Sequence, residues 1–295
     1  MNRPPPPPIP AAAELLAAAD AARAVRLSPP ARPAPGSADV DDSGGRDAGS
    51  GGIDHALRVQ AEIVAMRQAR GERPIGWKIG FTNRSIWPLY GVDHPIWGPV
   101  YGSTVTLLDG TDTTVDVSRF AEPRLEPEIV IGLGASPALE ADARSGDALR
   151  ALAGCIEWVA HGFEIVHSVY PGWKFTAAQA LAAQGLHGAL LVGPRVPVDR
   201  LGSDPIGTLA AVHVRLHEHG RLVAEGRGSA VLDGPVQALA HLVAEFARRG
   251  RRLEAGAIVT TGTLTDAQPL LPGQQWHTTL DGAPLPGLSL AVRGG

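Results

Sequence analysis

RLEPEIVIGLG, residues 124–134, is the stretch from which the fold can be read. Its Ile129-Val130-Ile131 run is β-branched and the segment closes on Gly132 and Gly134, which predicts a strand bounded by glycines. Side chains two apart in a strand share one face, so the carboxylates of Glu126 and Glu128 stand side by side. Like charges repel, and in apolar surroundings such a pair persists only if one member is protonated or a cation sits between them. A third carboxylate, Glu164, lies in the equally apolar GFEIV, residues 162–166. Three hard oxygen donors, with no cysteine or histidine pair beside them, suit Mg2+ or Mn2+ with positions left for water and substrate, rather than structural zinc. The alternative on pattern alone is a set of glutamates on the exposed face of amphipathic strands, with Arg124 as a salt-bridge neighbour.

Outward from this strand the chain stays β-rich. Residues 98–117, 188–198, 210–228, 255–265 and 284–293 carry β-branched or alternating runs between turn residues and predict further strands. Helices are predicted at 53–71, where Ala56, Val59, Ile63 and Met66 recur at helical spacing before Gly71, and at 235–250, which ends on Gly250. A helical stretch is also expected ahead of the apolar run around residues 156–166. The alanine-rich segment Ala11–Val25 suits a helix as well, but it sits between a proline run in residues 1–10 and a Pro/Gly/Ser/Asp-rich stretch, 27–52. The expected organisation is therefore a tail, short helix and flexible linker in 1–52, followed by one α+β domain in 53–295 with helices at its N-terminal side and edges.

Composition narrows the partners. With 44% hydrophobic residues in 295, a sizeable core can be buried, which excludes disorder throughout. A formal net charge of -4 advertises no basic surface, so no nucleic acid and no acidic lipid is expected as partner. No uncharged apolar run approaches ~20 residues, so no membrane span is expected either. The Ala-rich segment carries Glu14 and Asp20 and does not read as a secretory signal. The single cysteine, Cys155, rules out an intramolecular disulfide or thiolate cluster and fits a reducing, cytoplasmic compartment.

GWKIGFTN (76–83), with GVD (91–93) and PIWG (95–98), resembles the hydratase/decarboxylase branch of the fumarylacetoacetate hydrolase superfamily. The resemblance runs on in family order through RLEPEI, GFEIVHS, GWK, TTGTLT and PLPGLSLAV, covering residues 53–293. It implies a fumarylacetoacetate hydrolase-like mixed β-sheet roll, a divalent metal, Mg2+ or Mn2+, on Glu126, Glu128 and Glu164, and a small 2-oxo acid bound through its carboxylate and carbonyl. Lys78 matches the family's active-site lysine, which could clamp the substrate carboxylate or, if desolvated, shuttle protons; the alternative is a surface lysine at a strand end. Thr261, Gly262 and Thr263 align with a small-residue segment near the family's substrate, where hydroxyls and a glycine backbone could bind oxyanions, or they form a simple turn. The resemblance also implies a homo-oligomer, with pairing to a homologous lyase open, and a place in the catabolism of aromatic or related compounds.

Departures from the family pattern decide between reactions. Ile96 stands where hydratases of this branch typically have Asp and decarboxylases an aliphatic residue. His167 replaces an Asp after Glu164, and Leu186-His187-Gly188 replaces Ser-Ser-Gly, so His187, and less strongly His167, are candidate proton shuttles or else packing histidines. The first expectation is a metal-dependent lyase that hydrates a 2-hydroxydienoate, as 2-keto-4-pentenoate hydratases do. The alternative, favoured by Ile96 and by Lys174 on the substrate side, is decarboxylation of a vinylogous 2-oxo diacid of the 4-oxalocrotonate kind. A third is a non-catalytic scaffold partner of such an enzyme. Carbon–carbon hydrolysis is disfavoured, because the only His-x-x-Glu unit, His161 to Glu164, has its glutamate assigned to the metal.

Overall fold

In the computed structural model, which describes residues 8–25, 48–90, 92, 94–138 and 146–294, the strand read from RLEPEIVIGL spans Arg124–Leu133, β5, in the middle of a nine-stranded mixed sheet. The order across that sheet is β2 (Ile96–Tyr101), β1 (Pro74–Gly80), β11 (Ile258–Thr263), β5, β6 (Ile156–Val166), β7 (His187–Val192) and β3 (Val105–Leu107). Two short strands attach to it, β12 (Gln268–Pro269) on β5 and β8 (Val196–Pro197) on β6. Among the described residues of this sheet, only β1 with β11 and β3 with β7 run parallel. A second, five-stranded sheet has the order β10 (Arg221–Arg227), β9 (His213–Glu218), β13 (Gln275–Asp281), β14 (Ser289–Arg293) and β4 (Asp112–Asp116). The helices are α1 (Ala12–Asp20), α2 (Ala48–Ala69), α3 (Trp87–Tyr90), α4 (Gly146–Ala153), α5 (Ala177–Ala182), α6 (Pro205–Ala211) and α7 (Pro235–Arg248). The α+β class expected from sequence is what the chain adopts.

The alternation of β5 and β6 sorts their side chains onto two faces. On the outer face Ile129, Ile131 and Val159 pack beneath the helices with Leu239, Val243 and Phe246 of α7. Further along the same face, Leu125, Phe163 and Ile165 meet Trp276, Leu290 and Val292 of the second sheet. The inner face brings together Val130, Ala160, Leu190, Val192, Ile258 and Val100. Val100 of β2 and Leu190 of β7 share that cluster although four strands lie between them, so the sheet curls on itself. Glu126, Glu128 and Glu164 occupy the open end of this inner face.

Pro127 sits in a central strand, a position where a proline removes a ladder bond. Its carbonyl accepts from Leu264 N at 2.9 Å, so its missing N–H would also have faced β11. There the register slips from Thr260↔Val130 to Thr263↔Glu128, a bulge with one extra residue on β11. The proline thus falls where the ladder is already broken.

The N-terminal helix is not set apart from the domain. Leu15, Leu16 and Ala18 of α1 are buried in the same core as α2 and α7, Val25 N donates to Val169 O at 2.7 Å, and Gln179 Nε2 donates to Pro8 O at 3.1 Å. Residues 1–7 of the proline run, residue 26, residues 27–47 of the stretch read as linker, and Gly91 and Asp93 lie outside the described residues. Helix α2 begins at Ala48 and buries Ala56, Val59 and Ile63 as expected, but Met66 is 36% exposed. Gln60 joins the buried stripe instead, donating to Trp97 O at 3.0 Å and to Leu181 O at 2.8 Å. His213 and His217 are half-buried on β9, which lies between β10 and β13. No helix among the described residues is long and apolar enough to cross a membrane.

Candidate active site

Glu126 pairs directly with Glu164 across β5 and β6, and Glu128 follows two residues along the same face. One carboxylate oxygen from each lies within 4.8 Å of the others. Glu128 and Glu164 are fully buried, while Glu126, with 14% of its side chain exposed, faces a cavity of about 270 Å3. Lys78 projects from β1 into the same group, its Nζ 3.0 Å from Glu164 Oε2 and 3.8 Å from Glu126 Oε2. The reading of these glutamates as an exposed face is overturned.

Glu128 and Glu164 are oriented by different devices. Glu128 Oε2 accepts from Gly262 N at 2.8 Å and from the Thr260 hydroxyl in a very short bond, both supplied by the β11 bulge. Gly262 adopts φ +105°, and a Cβ there would stand 2.0 Å from Thr82 Oγ1, so only glycine fits this turn. Glu164 Oε1 accepts from His187 Nδ1 at 2.7 Å, and His187 Nε2 lies 2.8 Å from Thr104 Oγ1. Gly185, with φ +67°, lies over the Lys78 stem, where a Cβ would be 3.0 Å from Lys78 Cδ. Its neighbours Gln184 and Leu186 also have positive φ, a strained turn of the kind found at ligand sites.

The electrostatics of the group are unbalanced as it stands. Burial pushes Glu126 up to about 7 against the pull of Lys78. Burial, reinforced by Glu164 and Glu126, holds Glu128 well above the usual carboxylate range. Glu164 is also penalised by burial, but Lys78 and His187 outweigh that and lower its pKa. For Lys78, burial acts downward, yet the charges of Glu164, Glu126 and Glu128 prevail and raise it, so it remains an ammonium. Glu128 Oε1 is buried with no hydrogen-bond partner. Three carboxylates against one ammonium, with an orphaned oxygen aimed among them, fit a hard divalent cation such as Mg2+ or Mn2+.

The remaining predicted residues separate. Thr263 lines the cavity, but Thr261 is buried and donates to Ile129 O at 2.9 Å, a structural bond within the sheet. Lys174 is exposed and does not line the cavity; its neighbours Trp173 and Phe175 do. His187 does not line it either: it reaches Glu164 from a small second cavity that it shares with Leu15, Arg67 and His167. His187 thus touches the carboxylate group through Glu164 and not through the cavity that Glu126 lines. His167, packed edge-on to Phe120, is held neutral, its pKa lowered to about 4 mainly by burial. His161 and Glu164 are three apart on β6 and face opposite ways; His161 bonds Glu128 O at 3.0 Å and Thr278 Oγ1 at 2.9 Å, so no His-x-x-Glu water-activating unit forms. The sequence reading missed Arg124 as a cavity residue; its place at i−2 from Glu126 in a strand was the available signal.

The profile of the family described as fumarylacetoacetate (FAA) hydrolase C-terminal matches residues 93–284. A 4-oxalocrotonate decarboxylase of Pseudomonas sp is 32% identical over 225 residues, 75% of this chain and 80% of that protein. A 2-keto-4-pentenoate hydratase of Dechloromonas aromatica is 29% identical over 229 residues, 78% of this chain and 82% of the relative. Among solved structures, 4-oxalocrotonate decarboxylase from Pseudomonas putida G7, complexed with magnesium and adipate, superposes with a TM-score of 0.72 at 26% identity, covering 81% of this chain and 86% of that one.

Proposed function

Since the chain belongs to the fumarylacetoacetate hydrolase C-terminal family, we propose that it is a divalent-metal-dependent lyase that decarboxylates a vinylogous 2-oxo diacid. The observation that carries the choice of reaction is the cavity wall at Ile96. It is aliphatic, lies beside Gly80 in the cavity that Glu126 also lines, and offers no acid or base to handle water. A Mg2+ or Mn2+ ion held by Glu126, Glu128 and Glu164 would polarise the 2-oxo group and stabilise negative charge on its oxygen.

The chain's own groups do the rest. In 2-oxohex-3-enedioate the bond between C5 and the far carboxylate breaks and carbon dioxide leaves. The electron pair passes through the conjugated chain to the 2-oxygen, which takes up a proton and becomes the hydroxyl of a 2-hydroxydienoate. Lys78, kept charged by its carboxylate neighbours, acts as a fixed cation that binds and orients the substrate's 1-carboxylate. Ile96 and Leu186 keep water from the reacting carbons. Hydration of 2-hydroxypenta-2,4-dienoate is the second reading, supported by the hydratase relative at 29% identity. A cytoplasmic setting is supported by the lone cysteine, Cys155; a homo-oligomer, alone or paired with a homologous lyase, is supported by the family resemblance.

The test is a product assay with each substrate, in Mg2+ and in chelator. Carbon dioxide release from 2-oxohex-3-enedioate, lost in chelator and in a Glu126→Gln/Glu128→Gln double variant, is the expected result. Water addition to the dienoate alone would transfer the assignment to hydration, and turnover untouched by metal removal would overturn the metal mechanism. Silence on both substrates would leave the scaffold role.

A further inference from the structure

Arg124 shares the inner face of β5 with Glu126 and Glu128, and lies opposite Val166 where Glu126 lies opposite Glu164. Its guanidinium carbon stands 4.2 Å from the centroid of the Trp173 ring, and both residues line the cavity. Trp173 is itself pinned, its Nε1 donating to Glu122 O at 2.9 Å while Gly172 N donates to Glu122 Oε1 at 3.0 Å. Trp173 takes φ 58°, a left-handed conformation that a free tryptophan avoids, so the indole is held as a platform. Stacking covers a face of the guanidinium and leaves its in-plane N–H donors for a ligand. No carboxylate among the described residues forms an ion pair with Arg124, so its fork is uncommitted.

Spacing then selects the ligand. Two residues along a strand span about 6–7 Å. A six-carbon diacid has five carbon–carbon bonds of ~1.5 Å each and, extended, separates its carboxylates by a similar distance. We propose that Arg124, stacked on Trp173, is the receptor for the far carboxylate of a 2-oxo diacid whose 2-oxo end lies at Glu126 and Lys78. This rests on the lyase reading above and adds the residue that selects its diacid: Arg124 makes the site prefer dicarboxylates over monocarboxylates of equal length. The role anticipated for Lys174 thus belongs to a residue fifty positions earlier.

The charge on that carboxylate moves to the 2-oxygen as carbon dioxide departs. Arg124 therefore binds the ground state more strongly than the transition state, and its removal raises KM while leaving kcat equal or higher. Binding can be read without turnover, using unreactive 2-oxoadipate and 2-oxohexanoate, which differ only in the terminal carboxylate. Calorimetry on the Mg2+-loaded wild-type protein is expected to show 2-oxoadipate bound at least ~10-fold tighter. In Arg124→Gln that ratio falls to about one while 2-oxohexanoate affinity is unchanged; Trp173→Leu lowers the ratio about threefold. Equal losses on both ligands, or an unaltered ratio in both variants, would overturn the assignment. Absence of decarboxylation by a protein that still shows the Arg124-dependent preference would overturn the reaction but keep the receptor.

Discussion

Glu164 stands between two basic groups of the chain, Lys78 as an ion-pair partner 3.0 Å from Oε2 and His187 Nδ1 hydrogen-bonded to Oε1 at 2.7 Å. A ligand held this way presents a fixed lone-pair direction, and partners behind a ligand are commonly worth 10–100-fold in metal affinity. His187→Ala is accordingly expected to weaken Mg2+ binding by about 10-fold or more, measured by titration calorimetry, with the far-UV circular dichroism unchanged. Equal Mg2+ affinity in the variant would reduce His187 to packing. This contact also explains why the histidine that replaces the family's serine is easily misread. Its identity suggests acid–base chemistry, but its ring lies in the small cavity shared with Leu15 and His167 and is bonded to Glu164.

At the scale of elements, the β11 bulge is what turns a strand end into a binding wall. It aims the Gly262 N–H and the Thr260 hydroxyl at one oxygen of Glu128 and leaves the other open. Gly262→Ala must move Thr82 or abandon φ +105°, which costs roughly 1–3 kcal/mol. A lower melting temperature together with weaker Mg2+ binding is the expected outcome; a variant as stable and as metal-competent as wild type would show that the bulge is not needed. Period-two spacing makes the shared face of Glu126 and Glu128 legible in the sequence, since alternation in a strand is fixed by backbone geometry. The bulge is not legible there, because Thr261-Gly262-Thr263 reads equally as a turn. Arg124 reads only as a salt-bridge neighbour, since its significance depends on Trp173, which the 3-10 turn Pro171–Trp173 brings across from another part of the chain. Lys174 carries the charge that sequence reading looks for, but at an exposed position beside that turn.

For the molecule as a whole, α1 covers the back of the site. Leu15 and Leu16 line the small cavity that also holds His167 and His187, so a segment that composition sets among tail and linker completes the core. Burial there keeps His167 neutral down to about pH 4, whereas in the unfolded chain it binds a proton below about 6.5. The folded pKa is depressed, so this contribution to stability is intact above pH 6.5 and is lost as pH falls towards 4, by up to about 1.4 kcal/mol per pH unit. Chemical denaturation of wild type and His167→Leu across that window should show the difference moving steadily in favour of the variant as pH falls; a constant difference would contradict it. Gln60 offers a parallel: its polar side chain suggests an outward face, yet it joins α2 to the carbonyls of Trp97 and Leu181.

The Arg124–Trp173 platform bears on turnover as well as recognition. Once the far carboxylate has departed as carbon dioxide, the remaining dienoate has nothing for the guanidinium fork to hold. Substrate is thus gripped at two ends and product at one, and the bond-breaking step itself loosens what must leave.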